Sequence, residues 1–472
     1  MNSLRSIKEI QQKLLNGELT TVQMVKGYLQ RISETKKLNA YLEVFEEEAL
    51  LKAEKLDQKI QNEPDQLGKA FGAVISIKDV ICYEGHKVSA SSKILKGFES
   101  LYSATAIQRL LDEDVIIIGR TNCDEFAMGS GNENSAYGPV INGIGENLVP
   151  GGSSGGAAVS VQTDTCLAAL GSETGGSIRQ PAAFTGLYGI KPTYGRVSRY
   201  GLIAYGSSFD QIGVFSHNVE TMALLLEIIA GRDQMDATSS EKKVEDYSKL
   251  EQVPPQKIAY FKDVLTHPSI SEDVKQAMLK TIKDLEQLGH QLEPVEFEYL
   301  DYVVPTYYIL TTAEASSNLG RYDGIRYGYR DKSAKDIHEL YTKSRSAGFG
   351  DEVKRRIMMG SFVLSVGYYD AYFTKAQKVR NLIKLELEKI FNTFAFVLMP
   401  TTPDVAWQLN EKSAEPLKEY LADIYTVIAN LAGIPAISFP VNLHDNKLPI
   451  GMQLMAPQFH EYGLLKMVNS IR

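Results

Sequence analysis

Phe71-Gly72-Ala73-Val74-Ile75-Ser76-Ile77-Lys78 reads as a β-strand that ends on a charged residue. Its apolar, β-branched centre suits a buried strand, and the lysine marks the strand's exit. Downstream, Ala104–Leu111 has the spacing of an amphipathic helix, and Val115-Ile116-Ile117-Ile118-Gly119 is a second buried strand. Strand, helix, strand in that order predicts parallel pairing and an α/β fold. Cys166–Leu170 is a further short apolar strand, and it runs into the glycine-rich turn Gly171-Ser172-Glu173-Thr174-Gly175-Gly176-Ser177.

The pattern extends in both directions. Residues 3–60 read as helical, with Ile7, Ile10, Leu14 and Leu15 on one face and Gly17 as a terminator. Thr20 or Thr21 caps a second helix, and a third carries Leu50, Leu51, Ala53 and Leu56. Asn39–Val44 separates the second from the third. Later pieces alternate again: helices at Thr221–Ala230 and Ser271–Leu288, strands at Lys257–Phe261, Phe394–Leu398 and Ala436–Pro440. The prediction is one domain over residues 1–472, with an N-terminal helical segment at 1–65. Its large central sheet is mixed or mostly parallel, with helices on both faces. Residues 296–380, rich in Tyr and Arg, read as a helical insertion or lid over that sheet.

Bulk properties narrow the function. The chain has 472 residues and a formal net charge of −8, a poor basis for gripping nucleic acid unaided. Three cysteines, Cys82, Cys123 and Cys166, form no CxxC pair and read as free thiols of a reducing cytoplasm. No signal peptide or membrane-spanning run is evident, and no Cys/His cluster has metal-ligand spacing.

Chemistry concentrates in two glycine-serine segments, Pro150-Gly151-Gly152-Ser153-Ser154-Gly155-Gly156 and Thr174-Gly175-Gly176-Ser177-Ile178-Arg179. Ser153 and Ser177 lie 24 residues apart. Glycine allows close backbone approach, and successive N–H groups of such a turn can hold an anion. Acyl transfer needs that for its tetrahedral oxyanion. The backbone amides of Thr174, Gly175, Gly176 and Ser177 are therefore the candidate oxyanion hole. A serine also needs a base, and a buried lysine with a lowered pKa can serve. None of the seven histidines (86, 217, 267, 290, 338, 444, 460) sits in a nucleophile motif.

Gly151–Ala158 together with Gly171–Ala182 resembles the signature block of the amidase-signature family. The resemblance implies Ser177 as nucleophile, Ser153 (on a cis peptide bond) as proton shuttle and Lys78 as base. Ser154, Ser172 and Asp79 are then supporting residues. Further segments resemble the A subunits of the aspartyl/glutamyl-tRNA(Asn/Gln) amidotransferase family, among them Asp124–Ser130, Glu133–Pro139, Lys191–Leu202, Glu314–Leu319, Glu352–Met358 and Gly367–Tyr372. Departures such as Glu173, where Asp is commoner, leave the triad untouched. This likeness implies glutamine hydrolysis, with the released ammonia passed to a B subunit. There ATP and Mg²⁺ activate misacylated Glu-tRNA(Gln) or Asp-tRNA(Asn), and a small C subunit completes a cytoplasmic heterotrimer. No cofactor is implied for this chain itself. Arg356, or its neighbour Arg355, would pair with the glutamine α-carboxylate and Asp423 with the α-ammonium. Tyr308, or Tyr307, and Gly129 would line the pocket. The competing reading is a stand-alone amidase of small or aryl amides, for which an ion-pair clamp has no purpose.

Overall fold

The computed structural model describes residues 4–411, 420–441 and 448–471. Eleven strands form one sheet: β1 (Tyr41–Val44), β2 (Val74–Lys78), β3 (Ile116–Thr121), β4 (Ala168–Glu173), β5 (Tyr188–Lys191), β6 (Gln211–Ser216), β7 (Lys257–Phe261), β8 (Gln291–Val295), β9 (Phe396–Pro400), β10 (Ala436–Val441) and β11 (Ile450–Met455). They lie in the order β1-β3-β2-β4-β6-β5-β10-β11-β9-β7-β8. The sheet is mixed. Parallel pairing is confined to two blocks, β3-β2-β4 and β9-β7-β8. The other six junctions are antiparallel, so of the two expected forms, mixed or mostly parallel, the sheet is the mixed one.

The blocks follow from the connections. The helix Thr105–Asp112 joins β2 to β3, and Glu272–Gln287 joins β7 to β8. A helical crossover returns the chain in the same direction, which makes each pair parallel. Every residue of β2, β3, β4 and β6 is buried. Since successive side chains point to opposite faces, both faces of the sheet centre are covered. The helix Gly155–Gln162 packs on β2, β3 and β4, and Arg179–Thr185 packs on β5, β10 and β11.

At the N-terminus, the helix Thr21–Glu34 starts in a capping box between Thr20 and Gln23. The segment separating helices two and three is the edge strand β1, paired antiparallel to β3. Residues 296–380 contain the helices Leu300–Asn318, Ile337–Gly348 and Asp351–Val363 and the start of Lys375–Phe391. The first packs against the third and fourth, and one apolar core runs from Ile7 to Val468. Among the described residues no helix is long and apolar enough to cross a membrane.

This topology sets the position of the chemistry. β2 ends on Lys78 and its parallel neighbour β4 ends on Glu173. Both carboxyl ends therefore open at the same edge of the sheet, where α/β folds place their sites.

Candidate active site

Lys78 is fully buried, and its Nζ donates to Ser153 Oγ at 2.7 Å. It also donates to Ser172 Oγ at 3.0 Å and to the Ser172 carbonyl at 3.3 Å. Burial pushes the Lys78 ammonium down to about 8, with Cys123, Asp124, Asp210 and Glu173 acting in the other direction. A lysine so placed gives up its proton far more readily than one in water, and a minor fraction of it is neutral at neutral pH.

Ser153 follows a cis Gly152–Ser153 peptide bond. Its segment is tied to the second serine segment at several points. The Ser154 N–H donates to the Ser177 carbonyl at 3.2 Å, and the Gly152 N–H to Gln180 Oε1 at 3.1 Å. Ser154 Oγ donates to the Ser172 carbonyl at 3.0 Å, which makes it the local hydrogen-bonding residue expected. The Asp124 N–H holds the Ser153 carbonyl at 3.1 Å. Asp79 has a different task. It accepts from the backbone N–H groups of Ser89 and Ser91 and pairs with the buried Arg120.

The turn after β4 is fixed at both ends. Glu173 Oε2 accepts from the N–H groups of Ile178 and Arg179, both at 3.0 Å. Its other oxygen accepts from the buried Arg179 guanidinium, which also reaches Asn430, Gln453 and the Thr426 carbonyl. Thr174 Oγ1 donates to Asp210 Oδ1 at 2.6 Å. The amides of Thr174, Gly175, Gly176 and Ser177 donate to no other group among the described residues. Gly176 has φ +139°, a conformation other residues rarely adopt, and a Cβ there would lie 2.4 Å from Thr426 Oγ1.

The residues expected to meet a substrate come together near this turn from four distant segments. Arg356, on the helix Asp351–Val363, is only 4% exposed. Its Nη1 donates to Tyr205 Oη at 2.8 Å, and its Nε to Glu352 Oε1 at 2.7 Å. Its guanidinium carbon lies 5.3 Å from the Tyr308 ring centre. The Tyr308 hydroxyl donates to Asp423 Oδ2 at 3.3 Å, and Ser130 Oγ reaches the same oxygen at 2.9 Å. Arg355 is 52% exposed and pairs outward with Glu352, so Arg356 is the arginine turned into the molecule. Tyr307 and Tyr308 both reach the site. The ring of Tyr307 packs against Gly175, where a Cβ would lie 2.4 Å from it. Gly129 has no room for a side chain either, because Asp124 lies 2.4 Å from where its Cβ would be.

Sequence reading missed Ser130, Tyr205, Asp210 and Thr426. No local pattern marks them, because each acts through a partner distant in the chain. Among the described histidines, His86 binds Glu48, His217 binds the Val161 carbonyl, and His290 accepts from the Gln256 N–H. His444 lies outside the described residues.

Known proteins place these residues in context. A family model described as Amidase matches residues 23–465. The A subunit of glutamyl-tRNA(Gln) amidotransferase from Chlorobaculum parvum is 46% identical over 99% of this chain and 98% of its own length. Its counterpart in Fusobacterium nucleatum is 47% identical, over 98% and 95%. The crystal structure of the glutamyl-tRNA(Gln) amidotransferase A subunit from Thermotoga maritima superposes with a TM-score of 0.80 at 37% identity, covering 99% of this chain and 94% of that one. A peptide amidase of Stenotrophomonas maltophilia shares the architecture at 26% identity and a TM-score of 0.83, over 99% and 96%. With a catalytic-edge geometry of this kind and full-length likeness on both measures, the chain belongs to the amidase family, and within it to the A subunits of glutamyl-tRNA(Gln) amidotransferase.

Proposed function

We propose that this chain is the glutamine-hydrolysing subunit of a tRNA-dependent amidotransferase, supplying ammonia for the conversion of Glu-tRNA(Gln) to Gln-tRNA(Gln), of Asp-tRNA(Asn) to Asn-tRNA(Asn), or of both. The single observation that carries this reading is the buried charged arm beside the serine turn. Arg356 and Asp423 are bridged by Tyr308, and the Asp423 segment touches the Gly175 carbonyl through Thr426 at 2.6 Å. A free amino acid presents one anion and one cation, and this arm offers one of each in return. A neutral aryl or alkyl amide has no use for the pair.

In this mechanism the glutamine α-carboxylate lies on Arg356 and its α-ammonium on Asp423, with Tyr308 and Gly129 lining the pocket. The side-chain amide then reaches Ser177. Ser177 Oγ attacks the carbonyl carbon while its proton passes through Ser153 towards neutral Lys78. The backbone amides of the 174–177 turn hold the oxyanion. The tetrahedral intermediate collapses, the C–N bond breaks, and the relay returns the proton to the departing ammonia. Water then hydrolyses the acyl-serine by the same route, releasing glutamate. This is the logic of a catalytic triad with lysine in the place of histidine.

The reading assigns ATP, Mg²⁺ and most tRNA contacts to the B subunit, with a C subunit completing the heterotrimer. It needs no cofactor in this chain. Three buried free thiols suit a cytoplasmic complex. The test is ammonia release from L-glutamine by the chain alone and co-expressed with its partners, with ATP and misacylated tRNA. Release that rises with partners and charged tRNA is the expected result. Turnover of simple amides with no glutamine hydrolysis under any condition would overturn it.

A further inference from the structure

The amides of the 174–177 turn can stabilise an oxyanion only if they point to one place, and an isolated glycine pair has no preference for that arrangement. In a planar trans peptide the C=O and the following N–H point in opposite directions. Anchoring a carbonyl therefore aims the next amide. The only cis bond among the described residues is Gly152–Ser153, so this rule applies across the turn. The Gly176 carbonyl accepts from the Gln180 N–H at 2.8 Å, which turns the Ser177 N–H away from the helix. The Gly175 carbonyl has a different anchor. It accepts from the Thr426 hydroxyl at 2.6 Å. Thr426 is fully buried and stands at the N-terminus of the short helix Val427–Ala432. Its alternative acceptor, the Asp423 carbonyl, lies farther off at 3.0 Å. The Tyr307 ring also closes against Gly175, where a Cβ would lie 2.4 Å from it.

We infer that Thr426 is a positioning residue that aims the Gly176 N–H into the oxyanion hole by holding the carbonyl of the same peptide unit. This rests on the amide-hydrolysis reading above and deepens it. Thr426 lies three residues from Asp423, so the segment that meets the substrate's ammonium also sets the oxyanion donor. Without the hydroxyl, the Gly175–Gly176 peptide loses its anchor in a conformation only glycine tolerates. The turn then spends part of its time with that amide turned away.

The experiment compares Thr426→Val, Thr426→Ala and Thr426→Ser in the full chain co-expressed with its partners. Valine keeps the shape of threonine without the hydroxyl, and serine keeps the hydroxyl. Losing a whole oxyanion donor typically costs 10²–10³-fold in rate, so an unaimed donor should lower kcat by about 10- to 100-fold in the valine and alanine variants. KM for glutamine should stay within about twofold, the pH inflection set by Lys78 should not move, and serine should restore most of kcat. If the valine variant fails to fold, the alanine–serine comparison decides. Wild-type kcat in the hydroxyl-free variants, or a serine variant as slow as they are, overturns the inference. A wild-type enzyme inactive on glutamine overturns the glutaminase reading instead. The same variants on a small neutral amide then still decide the role of Thr426, because both substrates form the same oxyanion.

Discussion

Lys78 shows how one residue's surroundings set the chemistry. A lysine in water holds its proton until far above neutral pH. Here burial pushes it down to about 8. In its proposed role as general base it must be deprotonated, so kcat/KM should rise with pH and level off above an inflection near 8, measured by ammonia release in overlapping buffers. A profile that falls over this range would show that the protonated lysine is the active form. Lys78→Arg, which cannot lose its proton, should abolish turnover. Ser177→Ala should lower kcat by at least about 10³-fold with an unchanged thermal midpoint, since only a hydroxyl is removed. Normal turnover by the folded variant would remove Ser177 as nucleophile. Lys78, Ser153 and Ser177 stood out as candidates in the sequence because each sits in a local pattern: a strand end, or a serine among glycines. Thr426 was not legible, because nothing in Tyr425-Thr426-Val427-Ile428 distinguishes it from a core threonine until its carbonyl partner 251 residues away is known.

At the scale of elements, the unit that matters is β4, its turn and the helix Arg179–Thr185. Glu173 closes this unit on itself by taking the two amides after Ser177 and the Arg179 guanidinium. Both side chains are fully buried. Removing one partner leaves the other charge buried without compensation. Glu173→Gln should therefore destabilise the fold by about 3–5 kcal/mol, read by denaturant unfolding. A change below about 1 kcal/mol would show that Asn430 and Gln453 already satisfy Arg179 without the carboxylate. The strands that sequence reading found are built around short apolar runs, as in β2, β3 and β7. Those it missed break the pattern. β5 and β6 carry Gly189 and Gly213, where the neighbouring chain approaches closely, and in β8 Gln291, Glu293 and Pro294 are exposed. Their pairing is antiparallel or peripheral, and it is set by neighbours the local sequence does not name.

Across the whole molecule, the proposed substrate arm is assembled from residues 130, 308, 356 and 423, which only the complete fold brings together. Spacing and composition gave no reason to join them, and only resemblance to a family pointed there. The structure supplies the physical reason. Arg356 is buried between two tyrosine rings and fixed through Glu352, so its guanidinium is preorganised before any ligand arrives. That arrangement separates binding from chemistry. A charge-assisted hydrogen bond contributes about 1.5–3 kcal/mol, or about 10- to 100-fold in affinity. Arg356→Gln should then raise KM for glutamine by about that factor, while kcat/KM for a small neutral amide falls far less. The ratio of the two specificity constants is the quantity to measure, because misfolding or a shifted serine turn would lower both together. An equal loss on both substrates would make Arg356 a support for Tyr205 and Tyr308 and remove the ion-pair argument for glutamine. A loss confined to glutamine would tie substrate choice to a contact assembled by the whole chain, apart from the proposed serine relay.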